Sequence, residues 1–242
     1  MIAGLYNIFD HWSKRGAVWI YSDPHFSDKE LAAGVARRPS DEDQLKLINS
    51  KVGKNDTFIC LGDCGNIEYI RKIKGYKVLI MGNHDAGKTN YIRQKITKKF
   101  DNDKYSKEEA LQAMREQYPN WKLTLEEGYD MCHSPFTFWE VTADNRLFDE
   151  AYEGPVQIAE KLILSHEPLA INWAFNIHGH DHTGRLNDLY HYNVCSDVIG
   201  YVPINFNQWM KQGYLSKIDT MHRSVINKAT IRAKKRDKKN GK

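Results

Sequence analysis

Five short apolar runs, each ending abruptly at polar residues, constrain the fold of this chain more than any other feature of its sequence. They are residues 17–21 (AVWIY), 57–61 (TFICL), 77–81 (KVLIM), 161–164 (KLIL) and 174–177 (AFNI). Continuous apolar runs of this length are typical of strands that are buried on both faces. The runs therefore predict a sheet that is covered on both sides.

Helical patterns lie between the first three runs. Ser40 followed by Asp43 resembles a capping box, and Asn66 can cap a second helix. The apolar stripes expected on these two helices are Leu45, Ile48 and Val52, and Ile67, Ile70 and Ile73. The order β, α, β, α, β predicts an α/β fold whose parallel strands are joined by right-handed crossovers.

Polar residues follow each of the five runs. Parallel strands present their carboxyl ends to one edge of a sheet, where open α/β sheets usually bind ligands. We therefore expect these residues from five segments to converge: Asp23, His25, Asp63, Asn83, His84, His166, His180 and His182. Each segment alone resembles an ordinary strand-ending turn, so the prediction of a site depends on their convergence.

Residues 178–182 (HGHDH) carry the densest of these patterns. Residues two apart in an extended segment point to the same side, so His180 and His182 are expected to face one site while Asp181 faces away. His178 is expected to end the strand and to pack or hydrogen-bond rather than to bind a ligand.

The chemistry of the converging side chains indicates a metal site. Imidazoles and carboxylates suit Mn, Fe, Zn and similar ions, whereas an all-oxygen magnesium site would not gather five histidines. Eight polar groups are too many for one tetrahedral zinc ion, but they suit two ions that share a carboxylate.

The segments DPH, GD, GNHD, SHEP and GHDH, in that order, resemble the calcineurin-like metallophosphoesterases over about residues 17–205. Within that family the chain is most similar to small bacterial and phage phosphoesterases of unassigned substrate, through the stretch SHEPL and the segment YNVCSDVIGYVPI. The resemblance implies a central β-sandwich flanked by helices, with a dinuclear metal site at the carboxyl ends of the strands.

The resemblance also implies roles for single residues. One divalent ion would be held by Asp23, His25, Asp63 and His182. The second would be held by Asp63, Asn83, His166 and His180, so that Asp63 bridges the two ions. His84 would be the catalytic histidine. Manganese is the expected metal, with iron, zinc, nickel or cobalt as alternatives, and no other cofactor is expected.

The implied reaction is metal-dependent hydrolysis of a phosphate diester or monoester, with a small molecule or a nucleotide as substrate. The protein serine/threonine phosphatases carry a further aspartate three positions after the bridging one and then an arginine, where this chain has Asn66 and Ile67. This departure weakens a protein-phosphatase assignment. It also leaves the orienting partner of His84 open between Asp85 and a backbone carbonyl.

Composition agrees with a soluble enzyme. Hydrophobic residues make up 41% and charged residues 27% of the 242 residues, which is typical of globular proteins. No apolar run approaches the ~20 residues of a membrane span, and the N-terminal stretch does not resemble a signal peptide. We therefore expect a cytoplasmic protein with reduced, buried cysteines: Cys60, Cys64, Cys132 and Cys195.

The chain is expected to form a single domain over residues 1–221, with residues 86–157 as an elaboration at the rim of the active site. A helix is predicted from Ser106 to the stop at Pro119. The aromatic residues of this segment could line a nucleobase pocket or fill a local core; they include Tyr91, Tyr118, Trp121, Phe136 and Trp139.

Residues 222–242 form a basic tail that is expected to be flexible. They contain nine lysines or arginines against Asp237, a net charge of +8 in a chain whose total is +4. Such a tail can attract nucleic acid, or it can be a solvated terminus.

Two alternatives to a small-molecule esterase remain. One is a nuclease that holds nucleic acid through the tail, and the other is a non-catalytic, metal-bound scaffold for protein contacts.

Overall fold

The computed structural model describes residues 2–35, 37–85, 94–119, 121–131, 136–145, 147–185, 187–219 and 221–239. The chain forms two compact units. Unit 1 consists of Met1–Gly87 and Glu150–Lys242, and unit 2 consists of Lys88–Asp149.

The strands are β1 (Val18–Tyr21), β2 (Thr57–Cys60), β3 (Tyr76–Ile80), β4 (Gln94–Asp101), β5 (Lys122–Asp130), β6 (Phe136–Asn145), β7 (Glu150–Tyr152), β8 (Val156–Ala159), β9 (Leu162–Leu164), β10 (Phe175–His178), β11 (His191–Asn193) and β12 (Ile204–Asn205). The α-helices are α1 (Asp10–Arg15), α2 (Lys29–Gly34), α3 (Asp41–Lys51), α4 (Ile67–Lys72), α5 (Lys107–Gln117), α6 (Phe206–Lys211) and α7 (Met221–Lys239). Among the described residues, short 3₁₀ helices cover Asn7–Phe9 and Tyr214–Lys217.

Unit 1 contains two sheets, with strand orders β12-β1-β2-β3-β7 and β11-β10-β9-β8. Strands β1, β2, β3 and β7 are parallel, as are β9, β10 and β11, while β12 and β8 run antiparallel at the edges. All five apolar runs therefore form strands. The parallel arrangement expected for the first three is confirmed.

One hydrophobic core joins the two sheets of unit 1. It includes, among others, Val18, Ile20, Ile59 and Val78 from the first sheet and Leu162, Leu164, Phe175 and Ile177 from the second. The intervening residues of the first sheet, such as Phe58 and Leu79, are fully buried as well. Because successive side chains of a strand point to opposite faces, this sheet is covered on both sides. The expected α/β sandwich is confirmed.

The helices between the first strands begin where the sequence predicts. The Ser40 side chain accepts the backbone N–H of Asp43 at the start of α3, and the Asn66 side chain accepts that of Glu68 at the start of α4. Of the predicted stripes, Ile48, Val52, Ile70 and Ile73 are buried, while Leu45 and Ile67 are only half-buried.

Unit 2 is an antiparallel sheet of order β4-β6-β5 with one helix, α5. Ser106 and Glu109 form a capping box at the start of α5. Ala110 and Met114 of this helix form a small core with Val141 and Ala143, and Tyr118, Trp121 and Trp139 pack against it. These three aromatic side chains therefore contribute to a local core. Phe136 is 40% exposed, and Tyr91 lies outside the described residues.

The basic C-terminal segment forms helix α7, where the apolar side chains of Val225, Ile226 and Ile231 are exposed. Within the described part of the chain, no helix is both long and apolar enough to cross a membrane.

Candidate metal centre

The loops that follow β1 and β2 are held together by backbone hydrogen bonds. The N–H of Asp23 donates to the carbonyl of Gly62 (3.1 Å), and the N–H of His25 donates to the carbonyl of Asp63 (3.0 Å). Ser22, at the end of β1, pairs with Cys195 after β11. These contacts bring the carboxyl ends of strands from both sheets to one place.

Four of the predicted site residues have a left-handed backbone. The φ angles of Asp23, His25, Asp63 and His180 are 56°, 42°, 53° and 64°. Asp and His enter this region more readily than most residues, but each such conformation still costs on the order of 1–3 kcal/mol and is found mainly at functional sites. The fold therefore imposes these backbone turns, which direct the side chains that follow the strands.

The first donor group consists of Asp23, His25, Asp63 and His182. The Nε2 atom of His25 lies 3.4 Å from Oδ2 of Asp63 and 3.9 Å from Oδ1 of Asp23. The Nε2 atom of His182 lies 3.8 Å from the same Asp23 oxygen. Asp23 and Asp63 are buried, so this group gathers two carboxylates and two imidazoles away from bulk water.

The second donor group consists of Asp63, Asn83, His166 and His180. The Nε2 atom of His166 lies 3.3 Å from Oδ2 of Asp63, 2.9 Å from Oδ1 of Asn83 and 3.1 Å from Nδ1 of His180. Oδ2 of Asp63 thus faces both His25 and His166. A single carboxylate oxygen stands between the two donor groups.

Two buried polar atoms of the first donor group suggest that a cation belongs there. Among the described residues, neither Oδ1 of Asp23 nor Nε2 of His25 has a hydrogen-bond partner. Asp23 is fully buried and His25 is 6% exposed. Leaving such atoms unsatisfied is costly, and a divalent cation with nitrogen and oxygen ligands would satisfy both. The donor set therefore fits a metal ion.

A backbone carbonyl fixes the orientation of His166. Its Nδ1 atom donates to the carbonyl oxygen of Leu61 (2.8 Å), because a carbonyl can only accept. The other ring nitrogen, Nε2, is then directed at Asp63, Asn83 and His180. A hydrogen bond to one nitrogen that presents the other is the usual arrangement of a metal-binding histidine.

Neighbouring groups shift the pKa values of His166 and Asp63. Burial lowers the pKa of His166, but the contacts with Asp63 and Asp23 outweigh it and raise that pKa to about 9. Burial raises the pKa of Asp63, but the contacts with His166 and the His84 N–H outweigh it and lower that pKa below its usual value. Asp63 therefore stays ionised, as a cation ligand must be.

The spacing of HGHDH predicts an extended segment, but the structure has a turn after His178. Strand β10 ends at His178, and the chain then turns, with a left-handed backbone at His180. His180 and His182 therefore arrive from a turn and not by strand alternation. His178 is fully buried, and its Nδ1 atom lies 2.7 Å from the carbonyl oxygen of Gly179, as expected for a residue that ends the strand.

Asp85 is engaged with the backbone of the neighbouring loop. Its carboxylate accepts N–H groups from Asp63 (2.6 Å), Gly82 (3.0 Å) and Cys64 (3.1 Å). The backbone N–H of His84 donates to Oδ1 of Asp63 (2.9 Å). The contacts described for Asp85 therefore hold the loop of the shared aspartate and do not orient the His84 ring.

Close packing around the shared aspartate requires glycine. A Cβ atom on Gly82 would overlap Oδ1 of Asp63 and would lie 2.9 Å from the ring of His166. Gly82 therefore allows the loop after β3 to approach the loop after β2.

Asp197, which the sequence does not single out, contacts His182 of the first donor group, and Arg38 contacts Asp197. Nδ1 of His182 donates to Oδ2 of Asp197 (2.5 Å). Asp197 also accepts Nη1 of Arg38 at 2.7 and 2.8 Å. No local spacing could indicate this contact, because 159 positions separate the two residues.

The described cysteines are buried and free, as expected; Cys132 lies outside the described residues. Sγ of Cys64 lies 3.7 Å from Sγ of Cys60, and burial raises the pKa of Cys64 well above its usual value. Cys64 therefore remains a neutral thiol. The thiol of Cys195 lies 3.4 Å from Nδ1 of His182.

Two cavities border the donor groups. One of about 410 Å³ opens onto His25, His84 and His182, and another of about 290 Å³ lies beside Asn83 and His166. Their acidic wall residues are Asp28, Glu30 and Asp63 in the first and Glu153 and Glu167 in the second.

A family model includes both donor groups in its match to the chain. The calcineurin-like phosphoesterase family model matches residues 16–194, which include every residue of both donor groups. No curated protein matches the chain. Among solved structures, the chain is similar to AQ665 of Aquifex aeolicus, a protein of unknown function, with a TM-score of 0.49 and 18% sequence identity over 81% of this chain and 98% of that chain. Because the family model covers most of its length, the chain belongs to the calcineurin-like phosphoesterase family.

Proposed function

We propose that this protein is a dinuclear metal-dependent esterase that hydrolyses small phosphate mono- or diesters. The observation that carries the proposal is the position of Oδ2 of Asp63, which lies within 3.4 Å of a histidine from each donor group. A carboxylate in this position can bridge two cations. The first donor group would hold one ion and the second donor group the other, with manganese as the expected metal.

When bound, two divalent cations lower the pKa of a water molecule and offset the charge on the phosphoryl oxygens. Side chains of the protein would supply the other functions that the reaction needs. Asn83 contributes a neutral amide oxygen, so it cancels none of the positive charge that attracts a phosphate oxygen. His84 lines the larger cavity and would donate a proton to the leaving oxygen.

The charge of the cavity walls favours small substrates over nucleic acid. Asp28 and Glu30 in one cavity and Glu153 and Glu167 in the other are carboxylates outside the donor groups. They repel the neighbouring phosphates of a polyanion. The alternative of a nuclease depends on the basic helix α7, whose side chains could neutralise a nucleic acid backbone. The acidic walls argue against extended binding of that kind at the site itself.

The scaffold alternative predicts a bound metal pair without turnover. The presence of His84 beside both donor groups favours catalysis, since a scaffold has no need for a proton donor in the cavity.

Hydrolysis of bis(p-nitrophenyl) phosphate and of p-nitrophenyl phosphate by metal-stripped protein supplied with Mn²⁺ tests the proposal. We expect turnover that requires metal and is lost in Asp63→Asn, because the neutral amide cannot bridge two cations. The ratio of diester to monoester rates would narrow the substrate class. A folded protein that binds Mn²⁺ but hydrolyses neither ester would contradict the proposal and favour the scaffold.

A further inference from the structure

A buried network beside the first donor group suggests how that half of the centre is built. Nη1 of Arg38 contacts both carboxylate oxygens of Asp197, and Nη2 of Arg38 donates to the carbonyl oxygen of Pro24 (2.6 Å). The side chains of Arg38 and Asp197 are each only 4% exposed. Tyr201 donates its hydroxyl to Asp197 as well.

One end of this network reaches His182 of the first donor group, and the other end reaches Pro24, which lies between two members of that group. Asp197 accepts the proton on Nδ1 of His182, which leaves Nε2 directed at Asp23. Pro24 lies between Asp23 and His25, so the Arg38 contact holds the backbone that carries both. One guanidinium therefore links the loop after β1 to Asp197, which follows β11 and in turn contacts His182 in the turn after β10.

The second donor group is oriented by other contacts. His166 is fixed by the carbonyl of Leu61, and the loop of Asp63 is fixed by the carboxylate of Asp85. None of the contacts described for Arg38 or Asp197 reaches His166, Asn83 or the side chain of His180.

We infer that Arg38 and Asp197 form a clamp that prepares the first metal site selectively, with Asp197 orienting His182 and Arg38 orienting both Asp197 and the Asp23–His25 loop. This inference rests on the proposed function, because it assumes two metal sites. Outer partners of metal-binding histidines typically account for a factor of 10–100 in metal affinity. Loss of the clamp should therefore weaken the first metal site by that factor and leave the affinity of the second site unchanged.

Titration of the metal-free chain with Mn²⁺, followed by calorimetry and by electron paramagnetic resonance, tests the clamp. We expect wild type to bind two ions and to show the spectrum of an exchange-coupled pair. In Asp197→Asn and Arg38→Lys, one affinity should fall roughly 10–100-fold while the other stays unchanged. At Mn²⁺ concentrations between the two dissociation constants, these variants should show the six-line spectrum of an isolated ion.

Glu150→Gln is the matched control. Glu150 is also a carboxylate that accepts from a histidine and from tyrosine hydroxyls, but it contacts His11, Tyr76 and Tyr152 and not the described donor groups. A purely structural role for Asp197 predicts that Asp197→Asn and Glu150→Gln lower stability alike and leave both Mn²⁺ affinities intact. That result would overturn the inference, as would an equal loss at both sites.

A second variant covers the case in which Asp197→Asn does not fold. Tyr201→Phe keeps the buried ion pair and removes one hydroxyl donor, so it should lower the Mn²⁺ affinity of the first site by a smaller factor. If the Mn²⁺ affinities are unchanged in both Tyr201→Phe and Arg38→Lys, the clamp is overturned. A wild-type chain that binds only one ion would defeat the proposed function itself, which distinguishes the two failures.

Discussion

His84 differs from the other histidines at the strand ends in its surroundings. Its backbone N–H holds Asp63, while its side chain is exposed and lines the larger cavity. Within the described residues, it belongs to none of the clusters whose ligand atoms could share an ion. A ring placed in this way is available to move a proton and is not needed to bind metal.

Replacing His84 should therefore slow the reaction without emptying the site. We expect His84→Asn to lower kcat by roughly 10²–10⁴-fold while Mn²⁺ stoichiometry stays at the wild-type value, because the backbone contact to Asp63 remains. The loss should be larger for phenyl phosphate than for p-nitrophenyl phosphate, since the more basic leaving oxygen needs the proton more. Equal losses with the two esters would exclude His84 as the proton donor.

The sequence predicted the residues of the donor groups better than the contacts that orient them. Asp23, Asp63 and His166 each follow an apolar run, so local order alone indicates that they lie at the carboxyl ends of strands, here strands of two sheets. Arg38 and Asp197 follow no such rule: their contact depends on tertiary packing across most of the chain. The turn at His180 was also missed, because HGHDH is compatible with an extended strand.

At the level of elements, Glu150 joins a helix to two strands. Its carboxylate accepts hydrogen bonds from Trp12 of α1 (2.9 Å), Tyr76 of β3 (2.8 Å) and Tyr152 of β7, and it contacts His11. The carboxylate therefore fastens α1 to the edge of the larger sheet.

Glu150→Gln should destabilise the fold by about 1–3 kcal/mol at neutral pH, because an amide cannot accept from all of these donors. Burial raises the pKa of Glu150, but the hydrogen bonds outweigh it and lower that pKa below its usual value. The carboxylate therefore stabilises the fold above about pH 4.3, where an unfolded glutamate is ionised, and this contribution is lost as pH falls further. Urea unfolding at pH 7 and at acid pH should show that the free energies of unfolding of wild type and variant become more similar as the pH falls. A difference in unfolding free energy that grows on acidification would refute this account.

The caps of the helices were predictable because they are local. The side chains of Ser40, Asn66 and Ser106 each accept the backbone N–H of a residue two or three positions later. Because the two partners are so close in the chain, the sequence alone predicts these hydrogen bonds. The three-stranded sheet of unit 2 could not be predicted in this way, since pairing of β4 with β6 joins residues that are far apart in the chain.

For the whole molecule, the distribution of charge separates the proposed esterase from a nuclease. Helix α7 carries most of the basic residues of the C-terminal segment, whereas the cavities beside the donor groups carry acids. We expect a chain that ends at residue 220 to hydrolyse bis(p-nitrophenyl) phosphate as wild type does and to lose any salt-sensitive binding of duplex DNA. Hydrolysis of DNA that falls steeply with salt and disappears on truncation would favour the nuclease.

The division into units also differs in its bounds from the single domain with an elaboration over residues 86–157. The structure groups Lys88–Asp149 as a compact unit with its own small core. Hydrophobic patterns predict individual helices and strands. They do not indicate which of these share a core, so the bounds of the two units could not be predicted from the sequence.

Unit 2 interrupts unit 1 in sequence, and this has a consequence for the chain during translation. The ribosome releases Asp23, His25, Asp63 and Asn83 first, then the whole of Lys88–Asp149, and only afterwards His166, His180 and His182. A nascent chain therefore carries an incomplete donor set until His182 has been synthesised. Metal that binds only the native state can stabilise the chain only after that point.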